Sequence, residues 1–388
     1  MLGIQGISFK DKKVLIRVDF NVPITDQGII TDDRRIRSSL PTIQKVVKDG
    51  GIAILLAHLG RPKQGYEARY SLSKLVPTLS SLLQQPILFV PNCIGTAVQE
   101  RIDALAPGSI LLLENVRFHA EETLEDGHFA EALAGLADVY INDAFGTIHR
   151  NHVSTRLLPT YFKERYAGYL LQQEIAAIDK LSQQSPAVAI MGGNKLIDKA
   201  KPIEGIMRHV DHILIGGGLV LPFYHAKQGI ANTEAEMLAS RLLEGLMYNN
   251  HCQLWLPTDV LTSPEMHPQA ICTTLSLRLC GANILDIGPA TRAQYSELIL
   301  KAKTILWAGP MGMFEWDQCA AGTVAIAHSI AKATKHGAYS IVGGGDTAAA
   351  IKQIGYEKEV SYISTGGGAL LAYIAADGKL PSLAPLKE

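Results

Sequence analysis

Five segments in the first half of this 388-residue chain deliver the same few side chains. Arg17-Val18-Asp19-Phe20-Asn21, His58-Leu59-Gly60-Arg61, Asn115-Val116-Arg117 and Asn142-Asp143, with His149-Arg150 after it, each close an apolar run. The fifth, Asp33-Arg34-Arg35, opens a segment of helical spacing. Arginine is the side chain for bidentate recognition of carboxylate and phosphate. A lone arginine after a strand reads equally well as a surface ion pair. Five segments with one chemistry read as a site for a small anion, with a phosphate at one end and a carboxylate at the other.

The second half is rich in glycine, not arginine: 22 of the 35 glycines lie beyond residue 168, many in runs. Met191-Gly192-Gly193-Asn194-Lys195 leads to Lys199. Gly216-Gly217-Gly218, Gly343-Gly344-Gly345-Asp346-Thr347 and Gly366-Gly367-Gly368 each follow an apolar run. Backbone N–H groups where such turns open helices can cradle phosphate. Asp346 could hold Mg2+ and Thr347 could donate a hydrogen bond. A helix starting near Gly193 would put Lys195 and Lys199 on one face. Trp307–Glu315 reads as an apolar pocket wall ending in a carboxylate suited to ribose hydroxyls. Each glycine run alone reads equally as a tight turn with no ligand. G-x-x-x-x-G-K-[ST] is absent at Gly192–Lys199, which excludes a P-loop there. Gly343-x-Gly345-x-x-Ala348 fits a loose dinucleotide fingerprint. It lies late in the chain, however, and the next strand ends Ser364-Thr365-Gly366, with no acid for a ribose.

These residues must be positioned by the elements between them. Short continuous apolar runs such as Val14–Phe20, Ile52–His58, Ile110–Val116, Val139–Phe145, Ala187–Gly192, His212–Gly216, Ile284–Gly288, Thr304–Gly309 and Ser340–Gly343 alternate with helical spacing in Arg37–Lys48, Leu72–Leu83, Lys199–Val210 and Gly322–Lys335. That alternation predicts parallel sheets covered on both faces. About a dozen strands are too many for one comfortable sheet, so the expected fold is α/β, with two doubly wound parallel-sheet lobes. The boundary is expected near Arg165–Gly168, with Tyr169–Gln183 as an interlobe helix. Residues 1–168 carry 11 Arg and 8 Lys against 18 acids, a net +1; residues 169–388 carry 4 Arg and 13 Lys against 19, a net −2. The overall charge of −1 argues against nucleic acid or a membrane surface as partner. Five scattered cysteines with no C-x-x-C pair, and no basic-then-apolar leader, predict a reducing, cytoplasmic setting.

Taken together the motifs resemble the phosphoglycerate kinase family. Arg17–Pro23, His58–Pro62, Leu113–His119, Asn142–Thr147, Gly192-Gly193 with Lys195 and Lys199, Asp286–Pro289, Gly309–Gly312, Gly343–Thr347 and Ser364–Gly368 look like its blocks, in order, from about Ile7 to Leu386. The resemblance implies reversible phosphoryl transfer between ATP and the carboxylate of 3-phosphoglycerate, with Mg2+, in a hinge-bending monomer with a central cleft. It implies that Asp19, Phe20, Asn21, Arg35, His58, Leu59, Gly60, Arg61, Arg117 and Arg150 hold phosphoglycerate. Arg35, Lys195, Lys199, Gly345 and Gly368 would act at the moving phosphoryl group. The nucleotide falls to Lys199, Gly216, Gly217, Pro310, Glu315, Gly344, Gly345, Asp346 and Thr347, and the metal to Asp346. Implied domains are 1–168 for phosphoglycerate, 169–372 for nucleotide, and a tail, 373–388, returning to the first. Departures from the family pattern fall at Ala57, Gln173, Asn194, Ala308 and Ala372.

Overall fold

Strands of Val, Ile and Leu without polar alternation need cover on both faces, and here they build two six-stranded parallel sheets. The computed structural model describes residues 1–387 except 26, 64, 182–183, 249–250 and 281–282. The chain divides into two units, Met1–Ile175 with Lys379–Glu388, and Ala176–Gly378.

In the first unit the strands are β1 (Lys13–Val18), β2 (Ile52–Leu56), β3 (Ile87–Val90), β4 (Ile110–Leu113), β5 (Val139–Asp143) and β6 (Glu164–Ala167). They lie in the order β3-β4-β2-β1-β5-β6, all parallel. Chain order reverses beside β1, which pairs β2 on one side and β5 on the other, with Val18 opposite Asp143. Ile16, Leu55, Leu112 and Ile141 form the core with Ile36, Ile43 and Val46 of the helix Arg34–Lys48. That helical spacing turns one apolar stripe onto the sheet. The unit runs past Gly168 into the helix Tyr169–Asp179. The first turn of that helix is anchored here: Tyr169 N donates to Thr42 Oγ1 (2.9 Å) and Leu171 N to Asp143 Oδ1 (3.2 Å). The chain end closes the unit, with Leu383 and Leu386 buried, Leu2 N donating to Leu386 O (2.9 Å) and Arg165 Nε to Pro385 O (2.5 Å).

The second unit holds β7 (Ala187–Met191), β8 (His212–Ile215), β9 (Gln253–Trp255), β10 (Asp259–Ser263), β11 (Thr273–Ser276), β12 (Asn283–Ile287), β13 (Thr304–Ala308), β14 (Tyr339–Val342) and β15 (Tyr362–Ile363). The parallel sheet runs β15-β14-β13-β7-β8-β9, so chain order reverses between β7 and β13. Three strands form a separate antiparallel sheet, β11-β10-β12. This corrects one expectation: Ile284–Gly288 contributes to a small side sheet and not to the parallel one. Its alternation with helices looked the same in sequence, and the far strand of that sheet, β11 (Thr-Thr-Leu-Ser), which pairs β10 from the other side, is too polar and exposed to signal a strand. Among the described residues no helix is long and apolar enough to cross a membrane.

Candidate active site

Ligands of open parallel sheets bind outside the carboxyl ends of the strands, where chain order reverses. In the first unit those ends belong to β1, β2, β4 and β5. Just past β1, Asp19 is 2% exposed and Asn21 is partly exposed. Arg35, in the first turn of the helix Arg34–Lys48, donates Nη1 to Asn21 O (2.9 Å) and pairs with Asp19 Oδ2 at 3.3 Å. Asn21 Oδ1 accepts from Gly60 N (2.8 Å), which ties the end of β1 to the end of β2. Gly60 has φ +63°, and a Cβ there would overlap the Tyr70 ring, so the turn requires glycine. Arg117 Nη1 donates to Gly60 O (2.7 Å), and Asn115 Nδ2 to Leu59 O (2.7 Å) and Tyr70 O (2.9 Å).

Arg61, Arg117 and Arg150 line one open cavity of about 430 Å3 with Lys63, His119 and His152. Cation crowds cation here. Burial, then Arg150 and Arg17, push Arg117 down to about 10. Burial and the arginines push His149 and His152 down to about 4, and His58 well below its ordinary value. All three imidazoles are therefore neutral at pH 7, and the unspent positive charge belongs to the arginines. Such a cavity is chemically suited to a multiply charged anion. Phe20 and Leu59, expected as contacts, turn their side chains into the core at 0% and 4% exposure, so each can offer only backbone. Arg17 and His149, which lay in the segments read as an anion site but received no ligand role, belong to this cluster, and so does His152, which was not expected there. In sequence the signal for Arg17 was a charge embedded in an apolar strand.

In the second unit three glycine turns meet at the reversal between β7 and β13. Gly193 N donates to Pro310 O (2.9 Å), Gly217 N to Met311 O (2.9 Å) and Gly218 N to Gly193 O (2.8 Å). A Cβ on Gly192 would overlap Pro310 O, and one on Gly216 would stand 2.5 Å from Met311 Sδ. These glycines thus serve close backbone approach in the chain itself. Gly345 differs, with nothing within 4 Å of its would-be Cβ. It begins the helix Gly345–Ile354, whose N-cap Gly344 supplies no side-chain cap, leaving first-turn N–H groups available to an anion. The helix Gly367–Ala375, which contains Gly368, likewise starts uncapped at Gly366. Asp346 is exposed in the first turn after Gly344, and Thr347 Oγ1 accepts from Gly309 N (2.7 Å).

The two lysines do not share a helical face. The helix begins at Ala200, and Lys195 lies on the preceding turn. Pro202 explains the late start, since proline belongs in a first turn and has no N–H to continue one. Lys199 Nζ donates to Gly192 O and to Ala308 O (3.0 Å), and burial pushes it down to about 8, against the pull of Asp346 and Asp198. Lys195 is exposed. Ala308, though lacking a polar side chain, still engages Lys199 through its carbonyl. Trp307 does not wall a pocket: it is fully buried in the core and donates Nε1 to Gly309 O (2.9 Å). Glu315 is exposed and Pro310 is buried.

A family model described as phosphoglycerate kinase matches residues 4–377. The phosphoglycerate kinase of Chlorobium chlorochromatii is 44% identical over 395 residues, covering 99% of each chain. That of Synechococcus elongatus is 41% identical over 399 residues, covering 100% of this chain and 98% of its own. The solved phosphoglycerate kinase of Coxiella burnetii aligns with a TM-score of 0.84 at 36% identity, covering 100% of this chain and 98% of that one. Arginine-lined strand ends in one unit and glycine turns at the reversal of the other are thus carried by a chain that belongs, over nearly its whole length, to the phosphoglycerate kinase family.

Proposed function

We propose that the chain transfers a phosphoryl group in line between ATP and the carboxylate of 3-phosphoglycerate, with the acceptor held by the first unit and the nucleotide by the second. What supports this reading above all is the arginine-rich cavity of Arg61, Arg117 and Arg150 at the carboxyl ends of the first sheet. Asp19, Asn21, Arg35 and His58 stand at those same strand ends, and would orient the acceptor between them.

No general base is needed. A carboxylate is already ionised at neutral pH, so its oxygen attacks the γ-phosphorus directly. An O–P bond forms to the carboxylate as the bond from the γ-phosphorus to the β,γ-bridging oxygen breaks, and ADP leaves with that oxygen. The remaining work is positioning and stabilising charge on the transferring group. Arg35 and Lys195 supply positive charge there, and the N–H groups of Gly345 and Gly368 supply oriented dipoles. Lys199 and the Gly344–Thr347 turn hold the phosphate tail, Gly216, Gly217 and Pro310 the base, and Glu315 the ribose. Among the described residues no group of three His, Cys, Asp or Glu could hold a metal alone. The single exposed Asp346 beside a phosphate-binding helix start suits Mg2+, which usually shares its ligands between one or two carboxylates and substrate phosphates. The ion would neutralise phosphate charge. Acceptor and donor held by different units require a motion that brings them together and excludes water; a single chain suffices.

A coupled assay of acyl-phosphate formation tests the proposal. Activity is expected with 3-phosphoglycerate and ATP only when Mg2+ is present. Turnover independent of Mg2+, or none with either nucleotide direction, defeats it.

A further inference from the structure

We infer that Glu122, Ser154 and Arg17 form a buried lock that holds the His58 ring as a neutral Nε2–H donor toward the anionic ligand, which makes all three positioning residues for the acceptor. The inference deepens the proposed function and rests on its assignment of phosphoglycerate to the His58 side of the first unit.

The chain of contacts is continuous. Arg17 leaves β1 at 1% exposure and donates Nε to Ser154 Oγ (2.8 Å), Nη1 to Val18 O (2.5 Å) and Nη2 to His58 Nδ1 (3.1 Å). A guanidinium has donors and no acceptor. Nδ1 of His58 must therefore offer its lone pair, and the ring proton sits on Nε2. Ser154 Oγ, having accepted from Arg17, donates its own hydrogen to Glu122 Oε1 (2.6 Å), while Ser154 N donates to Glu122 Oε2 (2.9 Å). Ser154 lies in a wide π-type turn, Val153–Leu157, and its carbonyl accepts from Tyr140 O–H (2.8 Å). Such turns are rare and recur at functional sites. Glu122, on the short helix Glu121–Leu124, is 0% exposed. A buried arginine needs a counter-ion, and removing one partner of a buried pair is far more damaging than the pair is stabilising. Glu122 is that counter-ion, one hydroxyl away. His152 Nδ1 stands 3.7 Å from the same Glu122 Oε1.

The lock matters because of what surrounds His58. Burial first, and then the charges of Arg17, Arg117, Arg150 and Arg35, favour the neutral ring. A neutral imidazole free to flip could present its lone pair to an incoming phosphate or carboxylate oxygen, which is repulsive. Fixing Nδ1 on Arg17 leaves Nε2–H, the attractive edge, as the only one on offer. Among the described residues none bonds Nε2.

Nitrogen-15 spectra of the full chain labelled at histidine, with His58 assigned by its loss in His58→Gln, read the tautomer. The expected spectrum shows Nε2 protonated, Nδ1 as a hydrogen-bonded acceptor, and no titration across about pH 5.5–8. An Nδ1–H form, or a midpoint near about 6.5, overturns the lock. Ser154→Ala removes the bridge without touching His58. It is expected to mix the tautomers and raise KM for phosphoglycerate roughly tenfold, leaving KM for ATP unmoved. A folded Ser154→Ala with an unchanged His58 spectrum and unchanged KM, changed only in Tm, shows a structural bridge and overturns the positioning role. The wild-type spectrum decides by itself if that variant does not fold. Adding 3-phosphoglycerate should shift the Nε2–H resonance; the stated tautomer with no shift would support the lock and count against the acceptor site itself.

Discussion

Lys195 and Lys199 lie four residues apart and differ sharply in circumstance. Lys199 is half-buried on two backbone carbonyls, whereas Lys195 is exposed on a glycine-preceded turn. A side chain held by the chain before any ligand arrives suits a phosphate that is bound throughout. One with no partner among the described residues suits a group whose charge moves. Lys195→Ala should therefore lower kcat by roughly 10²–10³-fold and change KM for phosphoglycerate little; steady-state kinetics with equal losses in both would remove it from the transition state. Lys199 carries a pH signature. Its folded value of about 8 lies below its ordinary one, so the ammonium is lost as pH rises through about 8. Affinity for the anionic nucleotide should fall across that range, and a titration of KM for ATP that stays flat to about pH 9.5 would contradict the assignment. Much of this scale was legible in sequence, because Asp19, Asn21, Arg35, Gly60 and Arg117 sit in short motifs at strand ends and do meet in space. Glu122 and Ser154 were not legible. Their meaning lies in being buried against Arg17, more than a hundred residues away, and no local spacing records that. Likewise the loose fingerprint at Gly343 described a strand-to-helix turn correctly and said nothing about which phosphate compound the turn serves.

Elements aim these side chains, and helix starts are where they do it. Asp286, 1% exposed at the end of β12, accepts from Gly322 N (2.5 Å) and Ile287 N (2.9 Å), so it holds the first turn of the helix Ala321–Lys335. Burial pushes Asp286 up to about 7. A Cβ on Gly322 would overlap Asp286 Oδ1 and stand 2.5 Å from Ile287 Cγ1. In an open helix Gly→Ala is stabilising. Here the overlap involves a carboxylate fixed by two amides, and the sign reverses. Gly322→Ala should cost about 1–3 kcal/mol and lower Tm by several degrees in thermal unfolding; a rise in Tm would mean the helix start can shift. The sequence disclosed most elements of this kind, since continuous apolar runs and helical stripes are local signals. It did not disclose β6, β10 and β11. Glu-Arg-Tyr-Ala and Thr-Thr-Leu-Ser lack an apolar run, and they are strands because a neighbour offers an edge. The helical spacing read from Lys199 agrees with the start at Ala200, and the alternative, a helix from near Gly193 with Lys195 and Lys199 on one face, is not taken because Pro202 sets where the helix begins.

For the whole molecule, the question is whether each unit takes its own ligand. The first unit is assembled from two stretches of the chain: Met1–Ile175 and Lys379–Glu388 form one compact unit, and Leu386 O receives Leu2 N. The second is one continuous stretch, Ala176–Gly378. A ligand that binds only one native unit stabilises that unit by RT ln(1 + [L]/Kd), roughly 2.7 kcal/mol at a hundredfold excess over Kd. Amides that exchange by local opening near the bound ligand should slow accordingly. Hydrogen exchange read by mass spectrometry should therefore show 3-phosphoglycerate protecting the peptides around Asn21, Gly60 and Arg117 with little effect at Gly193, Gly217 and Gly345, and ATP with Mg2+ doing the reverse. Arg61→Ala, which removes one cation from the cavity wall, should abolish most of the first pattern and spare the second. The comparison discriminates because loss of fold in Arg61→Ala would speed exchange throughout the first unit even without ligand. Protection by ATP at Asn21 and Gly60, or loss of the ATP pattern in Arg61→Ala, would mean that the arginine cavity does not belong to the acceptor.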